Sequence, residues 1–266
     1  MSEKSSEVID ELNPFTNSFT NPFSIEGKTI LITGASSGIG RATAVMCSQM
    51  GANVLITGRS EEKLNDTMSR LEGDNHAMIC ADLNEHSEIE MLITWSPQLN
   101  GLVLNAGTLE LLPADFITQE KMNHTLSVNT FAPILIFSGL ARKRKLKKFS
   151  SVVFTSSLAG NYVTAYGHSV YSVSKAALSA FAKNAALEMA ARKIRVNCIC
   201  PGMIETDLIH NERVTQEMLA EDAKRYPLKR YGKPEEAANG IVFLLSDAAS
   251  FITGINLVID GGMTLQ

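Results

Sequence analysis

Thr33-Gly34-Ala35-Ser36-Ser37-Gly38-Ile39-Gly40 is the stretch on which the reading of this chain turns. Residues 28–33, leading into it, form a short apolar, β-branched run of the kind a buried strand shows. After it a helical pattern runs to about Met50. Strand, glycine-rich turn and helix together make a phosphate-binding element. Glycines let the backbone approach a pyrophosphate, and the helix N-terminus offers free N–H groups at the positive end of its dipole. The spacing is G-x-x-x-G-x-G rather than G-x-G-x-x-G. Gly34, Ser36, Ser37, Gly38, Ile39 and Gly40 are the candidate phosphate contacts.

The pattern repeats outward from there. Residues 53–57 read as a second strand, where a dinucleotide site for NAD would end in a carboxylate on the ribose 2′-hydroxyl. Here the strand runs into Thr57-Gly58-Arg59-Ser60. Arg59 can form a fork to a 2′-phosphate, Ser60 can add a hydroxyl, and Lys63 lies one turn into the next helix. This favours NADP(H); the alternative is a solvated Arg59 and NAD. A helix over 60–71 and a strand over 76–80 lead to Asp82-Leu83, candidate contacts for an adenine ring. A helix over 85–95 and a strand over 101–104 lead to Asn105-Ala106-Gly107. A long helix over 119–142 carries Asn129. A fifth strand over 150–155 ends at Ser156-Ser157, and ligands bind at that edge of open α/β sheets. The sixth strand, 194–200, is closed by Pro201-Gly202-Met203-Ile204-Glu205-Thr206. A helix over 234–245 and a strand over 256–259 finish the chain. Such alternation predicts an α/β, Rossmann-type, doubly wound parallel seven-stranded sheet with helices on both faces, in a single domain. Residues 1–25 are expected as a flexible extension with two Asn-Pro-Phe repeats, either a docking motif or a tail whose last Phe tucks in. Residues 26–266 form the catalytic domain, with a polar lid at about 203–232.

Tyr171-Ser172-Val173-Ser174-Lys175 follows the fifth strand. On a helix, Tyr171 and Lys175 lie one above the other. A phenol is a poor acid at neutral pH, and an ammonium beside it lowers its pKa. The pair can then exchange a proton with a carbonyl or alcohol oxygen. An isolated Tyr-x-x-x-Lys is also a common surface pair, so its neighbours carry the assignment.

Composition bounds the rest. The chain has 266 residues, 45% hydrophobic, with a formal charge of −4. It has the apolar content of a folded domain and no overall charge that invites nucleic acid. No apolar run approaches the ~18 residues of a membrane span, and no signal-peptide pattern opens the chain. Cys47, Cys80, Cys198 and Cys200 lack metal-site spacing, and Cys198 and Cys200 read as small core residues in a reducing cytoplasm. No metal is expected. The basic run Arg142, Lys143, Arg144, Lys145, Lys147 and Lys148 reads either as a solvated helix end or as a surface that steers an acidic carrier.

In this order, Thr33-Gly34-x-x-x-Gly38-Ile39-Gly40, Asn105-Ala106-Gly107, Asn129, Ser157, Tyr171-x-x-x-Lys175 and Pro201-Gly202 resemble the short-chain dehydrogenase/reductase family, from about Glu26 to Gln266. The resemblance implies a catalytic tetrad. Tyr171 would be the general acid/base, and Ser157 would hold the substrate oxygen. Lys175 would lower the Tyr171 pKa and bind the nicotinamide ribose, while Asn129 would order a water. It also implies that Asn105, Ala106, Gly107, Tyr171, Lys175, Pro201, Gly202, Ile204 and Thr206 contact the cofactor, and it implies a small carbonyl or alcohol substrate and a homotetramer. The stretch from Tyr226 to Glu236 resembles 3-oxoacyl-carrier-protein reductases; a hydroxysteroid or sugar substrate is as compatible. A non-catalytic NADP(H)-sensing protein is the alternative of another class. Leu104 stands where the family often has Asn. The gap from Ser157 to Tyr171 is one residue longer than common, so Ser156 rivals Ser157. Tyr166, a rival tyrosine, has no Lys four residues on.

Overall fold

The computed structural model describes residues 21–206 and 215–266. The chain alternates β1 (Thr29–Thr33), α1 (Gly38–Gln49), β2 (Asn53–Gly58), α2 (Glu61–Met68), β3 (Ala77–Cys80), α3 (His86–Trp95) and β4 (Leu99–Leu104). It continues through α4 (Gln119–Leu126), a π-helical turn (Ser127–Phe131), α5 (Ala132–Arg142), β5 (Leu146–Thr155), α6 (Ser169–Met189) and β6 (Arg195–Pro201). α7 (Gln216–Ala223), α8 (Pro234–Leu245) and β7 (Asn256–Ile259) complete it. Among the described residues seven strands form one sheet in the order β3-β2-β1-β4-β5-β6-β7, every pair parallel. The chain therefore leaves β1 in one direction for β2 and β3, then returns to the other side of β1 for β4. That reversal is the switch point where ligands bind beyond the strand C-termini, and it lies between the Gly34 turn and Asn105-Ala106-Gly107.

Successive strand residues face opposite sides of the sheet, and the core divides accordingly. Ile30, Ile32, Val103 and Val153 pack with Ala44 of α1 and Ile241 of α8. Leu31, Leu102, Leu104, Val152 and Phe154 pack on the other face with Leu92 of α3, Ile136 of α5 and Leu178 of α6. Phe137, Phe154 and Phe181 hold α5 and α6 to β5, with ring centroids 5.6 to 6.0 Å apart.

Three features differ from the sequence expectation. β5 begins at Leu146, paired with Leu99 across an irregularity before Gly101, so Lys147 and Lys148 lie on a strand rather than on a helix end. The helix over 119–142 is broken in register by its π turn. Gln119–Arg142 is long and apolar enough to cross a membrane by composition; half of its most apolar window is buried inside the fold. α6 begins at Ser169, before Tyr171. Of the expected extension, the repeat at 13–15 lies outside the described residues. The repeat at 21–23 forms a turn in which Asn21 Oδ1 accepts from Phe23 N at 3.1 Å. Phe23 rests 6.3 Å from Phe243, centroid to centroid. Residues 207–214 of the expected lid also lie outside the described residues.

Candidate active site

The glycine-rich turn is fixed from both sides. Gly34 has φ +67°, and a Cβ there would lie 2.7 Å from Ala106 Cα, so any side chain would push β1 and β4 apart. The Thr33 hydroxyl accepts from Asn105 N at 3.0 Å and Ala106 N at 3.2 Å, and Asn105 Nδ2 donates to Gly34 O at 3.3 Å. On the far side, Arg41 donates to Ser36 O and, at 3.1 Å, to Thr67 Oγ1, and pairs with Asp66 at 3.0 Å. Thr67 Oγ1 in turn donates to Ala35 O at 2.9 Å. Sequence reading missed Arg41, Asp66 and Thr67. The available signal was a cation one residue past the glycine turn. Ser37 caps α1 without a side-chain hydrogen bond, leaving the helix's first N–H groups facing the turn. Such a cradle fits a dinucleotide pyrophosphate.

At the end of β2, Arg59 is exposed and, among the described residues, has no ion-pair partner. Its charge helps hold the Asp82 carboxyl below the usual range, behind the larger effect of the Asn84 N–H bonded to that carboxyl. Ser60 is the N-cap of α2 and accepts from Lys63 N at 3.3 Å. Glu61 and Glu62 occupy the first helical turn, so positive charge at this corner is moderated. Leu83 is buried beside it. Beyond β6, Gly202 N donates to Ile259 O at 2.9 Å, Ile204 bridges to Gly232, and Tyr226 OH accepts from Met203 N at 3.3 Å. Thr206 packs against Gly38, 3.0 Å from where a Cβ would lie. The segment from Pro201 to Thr206 is thus anchored over the cradle.

Asn129, Ser157, Tyr171 and Lys175, the tetrad expected from the sequence, gather where the C-terminal ends of β4 and β5 meet the start of α6. Lys175, 4% exposed, donates from Nζ to Thr155 O at 2.8 Å and lies 5.9 Å from the Tyr171 ring centroid. A Cβ on Gly107 would lie 3.3 Å from both Lys175 Nζ and Asn129 Oδ1, so Gly107 leaves the space those two groups share. Asn129 sits in the π turn, fully buried. Its Oδ1 accepts from Thr108 N at 2.7 Å; its Nδ2 donates to Thr108 O at 2.9 Å and to Ser174 Oγ at 3.1 Å. The side chain braces the loop after β4 against α6. The two serines separate by environment. Ser156 is buried, donating to Lys175 O at 2.8 Å and bonded to Ser179 Oγ at 2.8 Å. Ser157 is half-buried; its Oγ accepts from Ala159 N at 3.1 Å, and its hydroxyl pulls the Tyr171 phenol's pKa down. Asn161, also missed in the sequence, holds Ser157 O at 2.9 Å and Ser156 Oγ at 3.2 Å. Tyr166 is exposed.

Burial sets the electrostatics. It pushes the Tyr171 phenol up, and the Ser157 hydroxyl pulls it the other way. Burial also pushes Lys175 down to about 8. Each group is drawn toward its neutral form, so the downward pull of Lys175 on Tyr171 expected from the sequence is not the dominant effect on the phenol in this state. His168, one turn before Tyr171, packs edge-to-face on it with centroids 5.9 Å apart and is held below the usual histidine range by burial. Among the described residues no cluster of three or more His, Cys, Asp or Glu could hold a metal.

Comparison with known proteins places this site among relatives. A family model described as enoyl-(acyl carrier protein) reductase matches residues 34–264. A 3-oxoacyl-[acyl-carrier-protein] reductase from Rickettsia felis is 34% identical over 91% of this chain and 98% of its own length. A glucose 1-dehydrogenase from Gluconobacter oxydans is 31% identical over 90% of this chain and 92% of its own. Among solved structures, a candidate NAD(P)-dependent gluconate 5-dehydrogenase from Beutenbergia cavernae, with NADP bound at low occupancy, superposes with a TM-score of 0.83. It is 29% identical and covers 92% of this chain and 100% of its own.

Proposed function

The chain belongs to the short-chain dehydrogenase/reductase family, and from that premise we propose that it is an NADP(H)-dependent oxidoreductase interconverting a ketone and a secondary alcohol. The observation that carries the reading is the convergence of Ser157, Tyr171 and Lys175 beside the opening left by Gly107. The turn from Gly34 to Gly40 would hold the pyrophosphate, Arg59 and Ser60 the adenosine 2′-phosphate, and Asp82 and Leu83 the adenine side. Asn105 to Gly107, Lys175 and the stretch from Pro201 to Thr206 would hold the nicotinamide half. When bound, that cofactor supplies or accepts the hydride. The protein's own part is proton transfer and orientation: Ser157 positions the substrate oxygen, and Tyr171 gives it a proton in reduction or takes one in oxidation. Lys175, mostly protonated at pH 7 with a pKa of about 8, places positive charge beside the phenol as it loses its proton.

Relatives that reduce carrier-bound thioesters and relatives that oxidise sugars leave substrate class to experiment. The test compares NADPH with NADH over an acetoacetyl thioester, a ketosteroid and a keto-sugar, with Arg59→Leu in parallel. NADPH is expected to be preferred. Arg59→Leu should lower kcat/KM for NADPH about tenfold or more, the worth of one charge-assisted hydrogen bond, and leave NADH unchanged. An equal effect on both cofactors refutes the 2′-phosphate role. Tight NADPH binding without turnover on any ketone would favour a cofactor-sensing protein. The homotetramer belongs to the same proposal and is supported by exposed Phe131 and Leu135 near α5 and exposed Val173 and Leu187 on α6. A monomer by light scattering would refute it.

A further inference from the structure

The sheet edge opposite the glycine-rich turn carries a groove of about 450 Å³ lined by Gln98, Arg144, Leu146, Lys147, Lys148 and Arg192. Four of the six are cations and none is acidic. They come from two distant segments, the start of β5 and the turn after α6. Other cations of the same run are spent on structure. Lys143 pairs with Glu90 at 3.4 Å, and Lys145 donates to the carbonyls of Thr94 and Ser96 at the end of α3. Among the described residues, Arg144, Lys147, Lys148 and Arg192 have no ion-pair partner. Two of them are fixed by neutral acceptors. Arg192 donates to Ala141 O at 3.1 Å and Leu146 O at 3.4 Å, and Lys147 to Asn100 Oδ1 at 3.1 Å. The backbone around the groove is strained as well. Arg144, Phe149 and Lys193, with φ of 55°, 67° and 58°, are left-handed without being glycine, a conformation that L-residues adopt at a cost. Crowding like charges in a chain whose net charge is −4 is unfavourable until an anion neutralises them.

We infer that this groove binds a soluble, multiply charged, phosphate-bearing small molecule. Its volume is that of a small-ligand site. Four positive charges in that volume call for three or four negative ones close together, which a short phosphate chain supplies and a single carboxylate does not. The two guanidiniums offer forks that match phosphate oxygens, and the two ammoniums serve as adjustable point charges. Arg192 and Lys147 are held in place by neutral acceptors, which suits a compact anion with fixed charge spacing better than a fluid lipid surface. The site stands apart from the proposed catalysis, at the N-terminal ends of the strands.

Equilibrium dialysis with tripolyphosphate at fixed ionic strength tests this. The glycine-rich turn is a second place for such an anion, so the readout is the number bound per chain. The wild type is expected to bind one more than the double variant Arg144→Ser/Lys148→Ser, or to bind it at least about tenfold more tightly. Arg142→Ser, a cation of the same run outside the groove, should keep the extra site. Both altered residues of the double variant are exposed, and an unchanged Tm confirms that its fold is intact. Equal binding by wild type and double variant overturns the inference. So does an equal loss in Arg142→Ser, which would mean diffuse charge, or binding confined to vesicles of anionic lipid.

Discussion

Tyr171 is pulled in two directions, upward by burial and downward by the Ser157 hydroxyl, while Lys175 beside it is lowered to about 8. The signs give a pH dependence. Reduction needs the protonated phenol and benefits from a protonated Lys175, so kcat/KM for ketone reduction should fall as pH rises above about 8. Oxidation needs the phenol to give up its proton beforehand with the Lys175 charge beside it, so its kcat/KM should climb as pH rises toward about 8 and level off above it. Flat profiles in both directions through pH 9 would refute both assignments. Tyr171→Phe should remove turnover and leave NADPH affinity within about twofold, since the hydroxyl is asked to move a proton rather than to hold the cofactor. Lys175 also makes a stability prediction. Its folded pKa lies below the unfolded 10.5, so the folded chain holds fewer protons between about pH 8 and 10.5. This residue therefore adds stability as pH rises through that window and costs most below it. At about 1.4 kcal/mol per pH unit the cost at pH 7 approaches roughly 3 kcal/mol. Lys175→Met should be inactive yet more stable than the wild type in urea at pH 7, with the gap closing by pH 10.5. Loss of stability at pH 7 would contradict the burial argument.

At the scale of elements, the π turn does what the sequence could not show. It places Asn129 so that one amide satisfies Thr108 N, Thr108 O and Ser174 Oγ together. Asn129→Ala strips partners from three polar groups at or near the core and should cost about 2–3 kcal/mol at roughly 1 kcal/mol per bond, read from the urea midpoint, as well as lowering kcat. A fall in kcat with unmoved stability would mean that Asn129 acts on the reaction and not as a brace. The difference between legible and illegible parts is physical. β7 and α8 stood out because Asn-Leu-Val-Ile and a Pro-started apolar helix carry their periodicity locally. The site residues were legible as spaced motifs, since Tyr171 and Lys175 need only one helix to meet. Arg41 and Thr67 were not, because their partners Ser36 O and Ala35 O are backbone atoms that become acceptors only once the turn is folded. The start of β5 was missed because Lys147 and Lys148 look like a solvated helix end, and only pairing of Leu146 with Leu99 makes them strand.

For the whole molecule, one parallel sheet gives the protein two unlike ends. Every strand delivers its C-terminus to the edge that holds Gly34, Gly107, Ser157 and Tyr171, and its N-terminus to the edge that holds the basic groove. β5 joins the two, with Leu146 at the groove and Thr155 at the carbonyl that accepts from Lys175. Because β5 bulges between Leu146 and Ser151, opposite Leu99 and Gly101, its ends are spaced as six steps of β4, and at ~3.3 Å each they lie about 20 Å apart. A carrier protein drawn to the basic run would therefore sit at the other end of the sheet from Tyr171 and Lys175 of the same chain. If the substrate is carried as a thioester, the basic run should not contribute to its delivery. Arg144→Ser/Lys148→Ser should leave kcat/KM for a carrier-tethered 3-oxoacyl thioester within about twofold of wild type, with the same salt dependence. The comparison with a small free thioester makes the test specific. A selective loss on the tethered substrate, tenfold or more with the free thioester unaffected, would mean that the groove does receive the carrier, reaching either a neighbouring subunit or across this one. Parallel small changes on both substrates would leave the two edges with separate tasks, chemistry at one and anion binding at the other.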